Sequence, residues 1–227
     1  MDINNKNFLV TGAASGMGKA LPARLIALGG RVVMADSNDI VCQMAEEYGD
    51  QAVAICCDVT QAEQVQQAVA LGVSLGGLHG VVHCAGVAYV EPLLDAQGNP
   101  ASLEAFNRVI AINLTGTFNV LRLAAAAMKD NPPANPDGEK GVIINMSSVT
   151  AFDGGAGQCA YAGSKAAVAG MTLPAARELG EYGIRVVAVA PGPFETPMLA
   201  KSPKERLEAA AATTPFPKRL GRAEDFV

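Results

Sequence analysis

Charge is scarce in this chain. Only 17% of its 227 residues are Asp, Glu, Lys or Arg, while half are hydrophobic. Soluble proteins average roughly 25% charged residues. The shortfall predicts apolar surface covered by further copies of the chain, as a homodimer or homotetramer; alanine-rich buried helices are the competing explanation. Basic runs are missing as well, and the formal net charge is −5. Nothing there suits a polyanion, so nucleic acid is excluded as a partner. No uninterrupted run of about 18 apolar residues occurs, so no membrane span is predicted. The N-terminal MDINNKNFLV has neither a charged-then-apolar signal pattern nor an Arg-rich transit pattern, and a cytoplasmic location is the expectation.

Cysteine pairs at redox or metal spacing are also lacking. Cys42, Cys56, Cys57, Cys84 and Cys159 include no CxxC, and their number is odd. They read as free thiols in a reducing compartment. His79, His83 and Cys84 lie close together in GLHGVVHCAG. In a strand, the two histidines take one face and the cysteine the other, with no carboxylate nearby. No metal site is expected.

What the chain does have is alternation of strand-like and helix-like segments, the pattern of parallel βαβ units. Strands are expected at Asn7–Thr11, Arg31–Ala35, Ala52–Cys56, Gly80–Cys84, Gly141–Met146 and Arg185–Ala190. Their Val/Ile-rich runs suit strands covered on both faces. Helices are expected at Gly16–Leu28, Ala62–Leu71, Leu103–Met128 and Tyr161–Glu181, with Pro174 kinking the last. No composition break divides the chain. The reading is a Rossmann-type, doubly wound α/β domain over residues 1–227, with helices on both faces of a parallel sheet. The long segment 191–221 leaves the carboxyl end of the sixth strand. Ligands of open α/β sheets bind at such ends, which makes it a candidate substrate lid; the alternative is a helical excursion that only packs the surface.

Two constellations carry chemistry. The first strand runs into TGAASGMG, and Gly12, Ser15, Gly16, Met17 and Gly18 form a turn suited to a pyrophosphate at a helix N-terminus. Asp36 ends the second strand, where a carboxylate accepts hydrogen bonds from both adenosine-ribose hydroxyls and repels a 2′-phosphate. No Arg or Lys lies between Val32 and Gln51. The expected cofactor is therefore NAD. Asp58 and Val59 follow the third strand, at the adenine edge, though Asp58 also suits a helix N-cap. Cys84, Ala85 and Gly86 end the fourth strand, where small residues let backbone lie against the adenosine ribose.

The second constellation is Tyr161 and Lys165, four positions apart on a helix, with Ser148 thirteen residues before the tyrosine. A phenol exchanges a proton with an alcohol. An ammonium one turn away lowers the phenol's pKa, and a neighbouring hydroxyl holds the alcohol oxygen.

TGAASGMG, CAG, Asn113 in AINLTGTFN, Ser148 in INMSSVTAF, YAGSK and PGPFETPM together resemble the short-chain dehydrogenase/reductase family, over essentially the whole chain. Within that family, the stretch from GVIINMSSVTAF to PGPFETPML and the segment TPFPKRLGRAEDF are most similar to the type-2 3-hydroxyacyl-CoA dehydrogenases. The resemblance implies an NAD-dependent oxidoreductase that interconverts 3-hydroxyacyl-CoA and 3-ketoacyl-CoA. It implies catalytic roles for Ser148, Tyr161 and Lys165, with Asn113 holding a relay water. It implies nicotinamide contacts at Pro191, Gly192, Phe194 and Thr196, and places Gln158 beside the substrate oxygen. Two departures stand out: His83 occupies a position where many members carry Asn, and members usually continue past the last residue with a helix and a seventh strand. The sheet is thus expected to lack a C-terminal edge strand. A hydroxysteroid or other secondary-alcohol dehydrogenase, and a non-catalytic NAD-binding scaffold, are the alternative readings.

Overall fold

A computed structural model describes residues 1–201 and 203–227. Six parallel strands form one sheet in the order β3-β2-β1-β4-β5-β6. They are β1 (Asn7–Thr11), β2 (Arg31–Asp36), β3 (Ala52–Cys56), β4 (Gly80–His83), β5 (Gly141–Met146) and β6 (Ile184–Val189). Alternate residues along each strand enter opposite cores. Leu9, Val33, Val81 and Ile143 join one core, and Phe8, Val10, Met34 and Val82 the other. Helices α3 (Ala62–Ser74), α5 (Gly116–Met128) and α6 (Cys159–Gly180) contribute to the first core. Helices α1 (Gly16–Ala27) and α2 (Ile40–Glu46) contribute to the second, as does Phe226 of the terminal helix α8 (Ala223–Phe226). The doubly wound sheet is therefore as expected, with β3 and β6 at its edges.

One expectation needs correction. The helix over Leu103–Met128 is interrupted: α4 (Leu103–Ile110) passes through a π-helical turn, Ala111–Thr115, into α5. That turn holds Asn113, which is fully buried. Taken as one helical run, Leu103–Met128 is long and apolar enough to cross a membrane by length and composition, although it contains no unbroken apolar run. Half of its most apolar window is buried in the protein. Val120, Leu121, Ala124, Ala125 and Met128 pack in the core, which explains the apolar stripe. Helix α6 continues through Pro174 to Gly180. Its exposed or half-exposed middle leaves room for the ring. Helix α7 (Lys204–Thr213) lies within the segment that follows β6.

Candidate active site

The site lies at the carboxyl ends of β1, β2, β4 and β5, and glycine sterics shape its floor. Gly12 has φ +67°, and a Cβ there would come within 2.7 Å of Ala85 N. A Cβ on Gly18 would strike the Gly12 carbonyl. Only glycine lets β1 turn sharply, lie against the end of β4 and start α1 in one step. Asp36 fixes this turn from the next strand. One carboxylate oxygen accepts Ala14 N–H at 2.9 Å, and the other accepts Asn38 N–H at 2.9 Å. Each oxygen keeps a lone pair directed by that anchoring. Asp58 accepts from both Thr60 N–H (2.9 Å) and the Thr60 hydroxyl (2.8 Å), two residues on, before α3 begins. The cap expected of it is thus a local turn rather than a bond to the helix itself.

Together these segments wall a cleft of about 580 Å³. Gly12, Ser15, Gly16, Met17, Gly18, Asp36, Asp58, Val59, Cys84, Ala85, Gly86, Tyr161, Lys165 and Thr196, all picked out from the sequence, line it. Pro191, Gly192 and Phe194 do not. They line a second cavity of about 510 Å³, together with Ser148, Gln158 and Tyr161. Cleft and cavity share Met17, Ser147, Tyr161, Thr196 and Met198, so they meet at the phenol. Sequence reasoning missed Arg108 and Ile112, one turn apart on the far wall of the cleft. Only their spacing on a helix face could have indicated them.

The trio is assembled from two places in the chain. Ser148 follows β5 and opens a 3₁₀ turn, where its Oγ accepts Thr150 N–H at 3.2 Å. Tyr161 and Lys165 lie on α6. Lys165 Nζ sits 5.8 Å from the Tyr161 ring centroid and donates to Met146 O at 2.7 Å. Ser147 Oγ donates to Lys165 O at 2.8 Å, fastening α6 to the end of β5. Burial pushes the lysine pKa down to about 8, partly offset by the charge of Cys84. Burial likewise raises the Tyr161 pKa, and a side-chain hydrogen bond with Ser148 pulls it back. Desolvation therefore outweighs the downward pull expected from Lys165, and the tyrosine rests as a phenol at neutral pH.

Asn113 braces this group from α5's π-helical entry. Its Oδ1 accepts Val87 N–H (2.8 Å), and its Nδ2 donates to Val87 O (2.8 Å) and Ser164 Oγ (3.1 Å). Ser164 Oγ in turn donates to Tyr161 O at 2.7 Å. Both amide protons are committed, which leaves one Oδ1 lone pair for a bridging water. Gln158 Oε1 accepts Gly155 N–H at 2.7 Å, so its amide protons remain for the second cavity. The histidines have other tasks: His79 Nδ1 accepts Asn7 N–H, and His83 Nδ1 pairs with Thr11. Among the described residues no group of three His, Cys, Asp or Glu could hold a metal ion.

A glycine turn at a parallel sheet's switch point, opening beside a Ser/Tyr/Lys cluster, is the layout of a dinucleotide oxidoreductase. The model of the short chain dehydrogenase family matches residues 6–207. The chain belongs to that family. Its cofactor is accordingly a nicotinamide dinucleotide, its substrates are small molecules, and the fit is seen in the close backbone approach at Gly12 and Gly18. The chain is 46% identical to the 3-hydroxyacyl-CoA dehydrogenase type-2 of Drosophila melanogaster, covering 99% of this chain and 89% of that protein. It is 42% identical to the protein of the same name from Homo sapiens, over 96% and 84% of the two chains. The crystal structure of a 3-hydroxyacyl-CoA dehydrogenase type-2 from Mycobacterium avium is similar at TM-score 0.91 and 36% identity, over 97% of this chain and 86% of that one.

Proposed function

We propose that this short chain dehydrogenase interconverts 3-hydroxyacyl-CoA and 3-ketoacyl-CoA with NAD. One observation carries the reading: the cofactor cleft and the second cavity meet at Tyr161, with Lys165 on the cleft side and Ser148 on the cavity side. The names of the relatives supply the substrate class. Asp36, held by Ala14 and Asn38 N–H at the end of β2 where it lines the cleft, with no Lys or Arg between Val32 and Gln51, supports NAD over NADP.

When bound, the nicotinamide ring gives or takes the hydride. The chain's own residues handle the proton. In the reducing direction, Tyr161 donates its phenolic proton to the carbonyl oxygen, and Ser148 hydrogen-bonds the developing alkoxide. Its burial-raised pKa keeps the phenol loaded for this step. In the oxidising direction, the phenolate accepts the proton of the 3-hydroxyl, and the Lys165 ammonium one turn away favours that anion. Asn113 acts through Ser164 and Val87 to hold the tyrosine's helix against the end of β4. Gln158 offers its amide to the substrate.

All of these parts hang from one sheet, so we read residues 1–227 as one catalytic domain with 191–221 as its substrate lid. The base of the lid is pinned where Gly221 N–H donates to Pro193 O (2.9 Å) and Glu195 N–H to Gly221 O (2.7 Å). Self-association belongs to the same reading. Helices α5 and α6 and the turn after α6 leave Phe118, Leu173 and Tyr182 half-exposed beside an apolar hollow lined by Met171 and Leu179, and a second copy would cover them. Light scattering tests this; a monomer at micromolar concentration contradicts it.

The function is tested by following NADH consumption with acetoacetyl-CoA, beside NADPH and beside a ketosteroid. Turnover fastest with NADH and acetoacetyl-CoA supports the proposal; a preference for the ketosteroid favours the hydroxysteroid alternative. Tyr161→Phe should lower turnover by about 10²–10⁴-fold while NADH still binds. Full activity in that variant would remove the tyrosine from the scheme.

A further inference from the structure

A polar layer tops one face of the sheet. Thr11, His83 and Asn145 lie in register on β1, β4 and β5, at 2%, 1% and 2% exposure. Each follows by two residues a member of the larger core (Leu9, Val81 and Ile143), so the three side chains cap that core beneath the cofactor cleft. His83 Nδ1 lies 2.7 Å from Thr11 Oγ1. The same oxygen accepts Ala85 N–H at 3.3 Å, and Ala85 lines the cleft. A hydrogen-bonded path thus runs from the imidazole to the cofactor's wall.

The other side of the ring is unanswered. His83 Nε2 and Asn145 Oδ1 are the two buried side-chain atoms among the described residues with no hydrogen-bond partner. They belong to directly paired residues of neighbouring strands. A buried orphan costs about 1–3 kcal/mol, so two of them at one register level call for a shared solution. Burial, and secondarily the charge of Lys165, push the His83 pKa down to about 3, so the ring is neutral and has a single N–H to place. With the Thr11 hydroxyl donating to Nδ1, that N–H falls on Nε2 and complements the Asn145 carbonyl.

We propose that His83 is a positioning residue for the cofactor: its Nε2–H is tied to Asn145 Oδ1 through one buried water, clamping β1, β4 and β5 together and holding Ala85 against the cleft. A water that accepts from Nε2 and donates to Oδ1 satisfies both atoms. The inference rests on the first cleft being the dinucleotide site. His83→Leu breaks the path by replacing the ring with an apolar side chain of similar bulk. His83→Gln keeps both an acceptor for Thr11 and an N–H for the water.

The experiment combines nitrogen NMR of the His83 ring with NADH binding read by fluorescence. The expected ring is the Nε2–H tautomer. His83→Leu should weaken NADH about tenfold, and His83→Gln should restore binding to within about twofold of wild type. Should the leucine variant not fold, Asn145→Leu gives the second reading: weaker NADH binding and loss of the pure Nε2–H signal. An Nδ1–H ring in the wild type, or NADH bound normally by His83→Leu or by Asn145→Leu, overturns the proposal, as does a glutamine variant no better than leucine. A wild type that binds no NADH overturns the cofactor reading itself and this proposal with it.

Discussion

Gly12 and Gly192 both border the site, yet a methyl group means different things at the two positions. At Gly12 it would meet the backbone of Cys84 and Ala85 at under 3 Å; at Gly192 it would meet nothing within 4 Å. The cofactor half is bounded by main chain, packed between strand ends that cannot retreat. The substrate half is bounded by loop side chains, with Met198 and Val149 exposed along it. One half is thus fixed by backbone sterics, and the other is adjustable by residue choice. A shared dinucleotide paired with a variable substrate asks for that division.

The comparison breaks first at Gly12. Gly12→Ala forces a non-glycine residue into φ +67° and into the end of β4, and should cost about 2–4 kcal/mol of stability and roughly 100-fold in NADH affinity. Thermal melts and fluorescence titration check both; near-wild-type values would refute the steric account.

Lys165 sits where the halves join, and its folded pKa of about 8 lies below the ordinary 10.5. The unfolded chain then holds more protons between those two pH values, so this group makes stability rise with pH across that window. Below pH 8 the full cost of burying the ammonium stands, about 3 kcal/mol. Lys165→Met should therefore abolish turnover yet raise the melting temperature at pH 7, by the equivalent of about 2 kcal/mol once the orphaned Met146 carbonyl is counted. The gain should fade as pH approaches 10. A lower melting temperature at pH 7 contradicts the burial argument.

Asp36→Ala sharpens the cofactor side. It should raise the KM for NADH about tenfold and leave NADPH little affected, which steady-state kinetics with both cofactors would show. An unchanged preference would detach the carboxylate from the ribose. The smallest effect is expected at Gly192→Ala, with stability within about 0.5 kcal/mol of the parent. A loss as large as that at Gly12 would erase the contrast between the halves.

The same division explains what could be read in advance. The strands, the glycine turn, Asp36 and the Ser148, Tyr161 and Lys165 spacing were legible because backbone geometry dictates residue type there. Helix α2 was not: seven residues with only Val41 and Ala45 buried give too short a period to detect. Nor was the π-helical turn, which depends on Asn113 reaching Val87 across 26 residues of chain. The balance at Tyr161 also escaped, because spacing reports which charge is near but not how dry the surroundings are. That Pro191, Gly192 and Phe194 line the second cavity rather than the first was hidden for a related reason: a loop's direction after a strand end depends on the contacts it makes later, here with Gly221.

Ser147 and Ser148 are neighbours with unlike duties. The hydroxyl of one clasps the carbonyl of Lys165, while the other borders the second cavity. They are not spares for each other. Losing a single residue just before them would carry Ser148 into the clasp and put Val149 at the second cavity, leaving the proposed alkoxide partner without a hydroxyl. The chemistry of this enzyme is thereby keyed to the reading frame of one strand's final step.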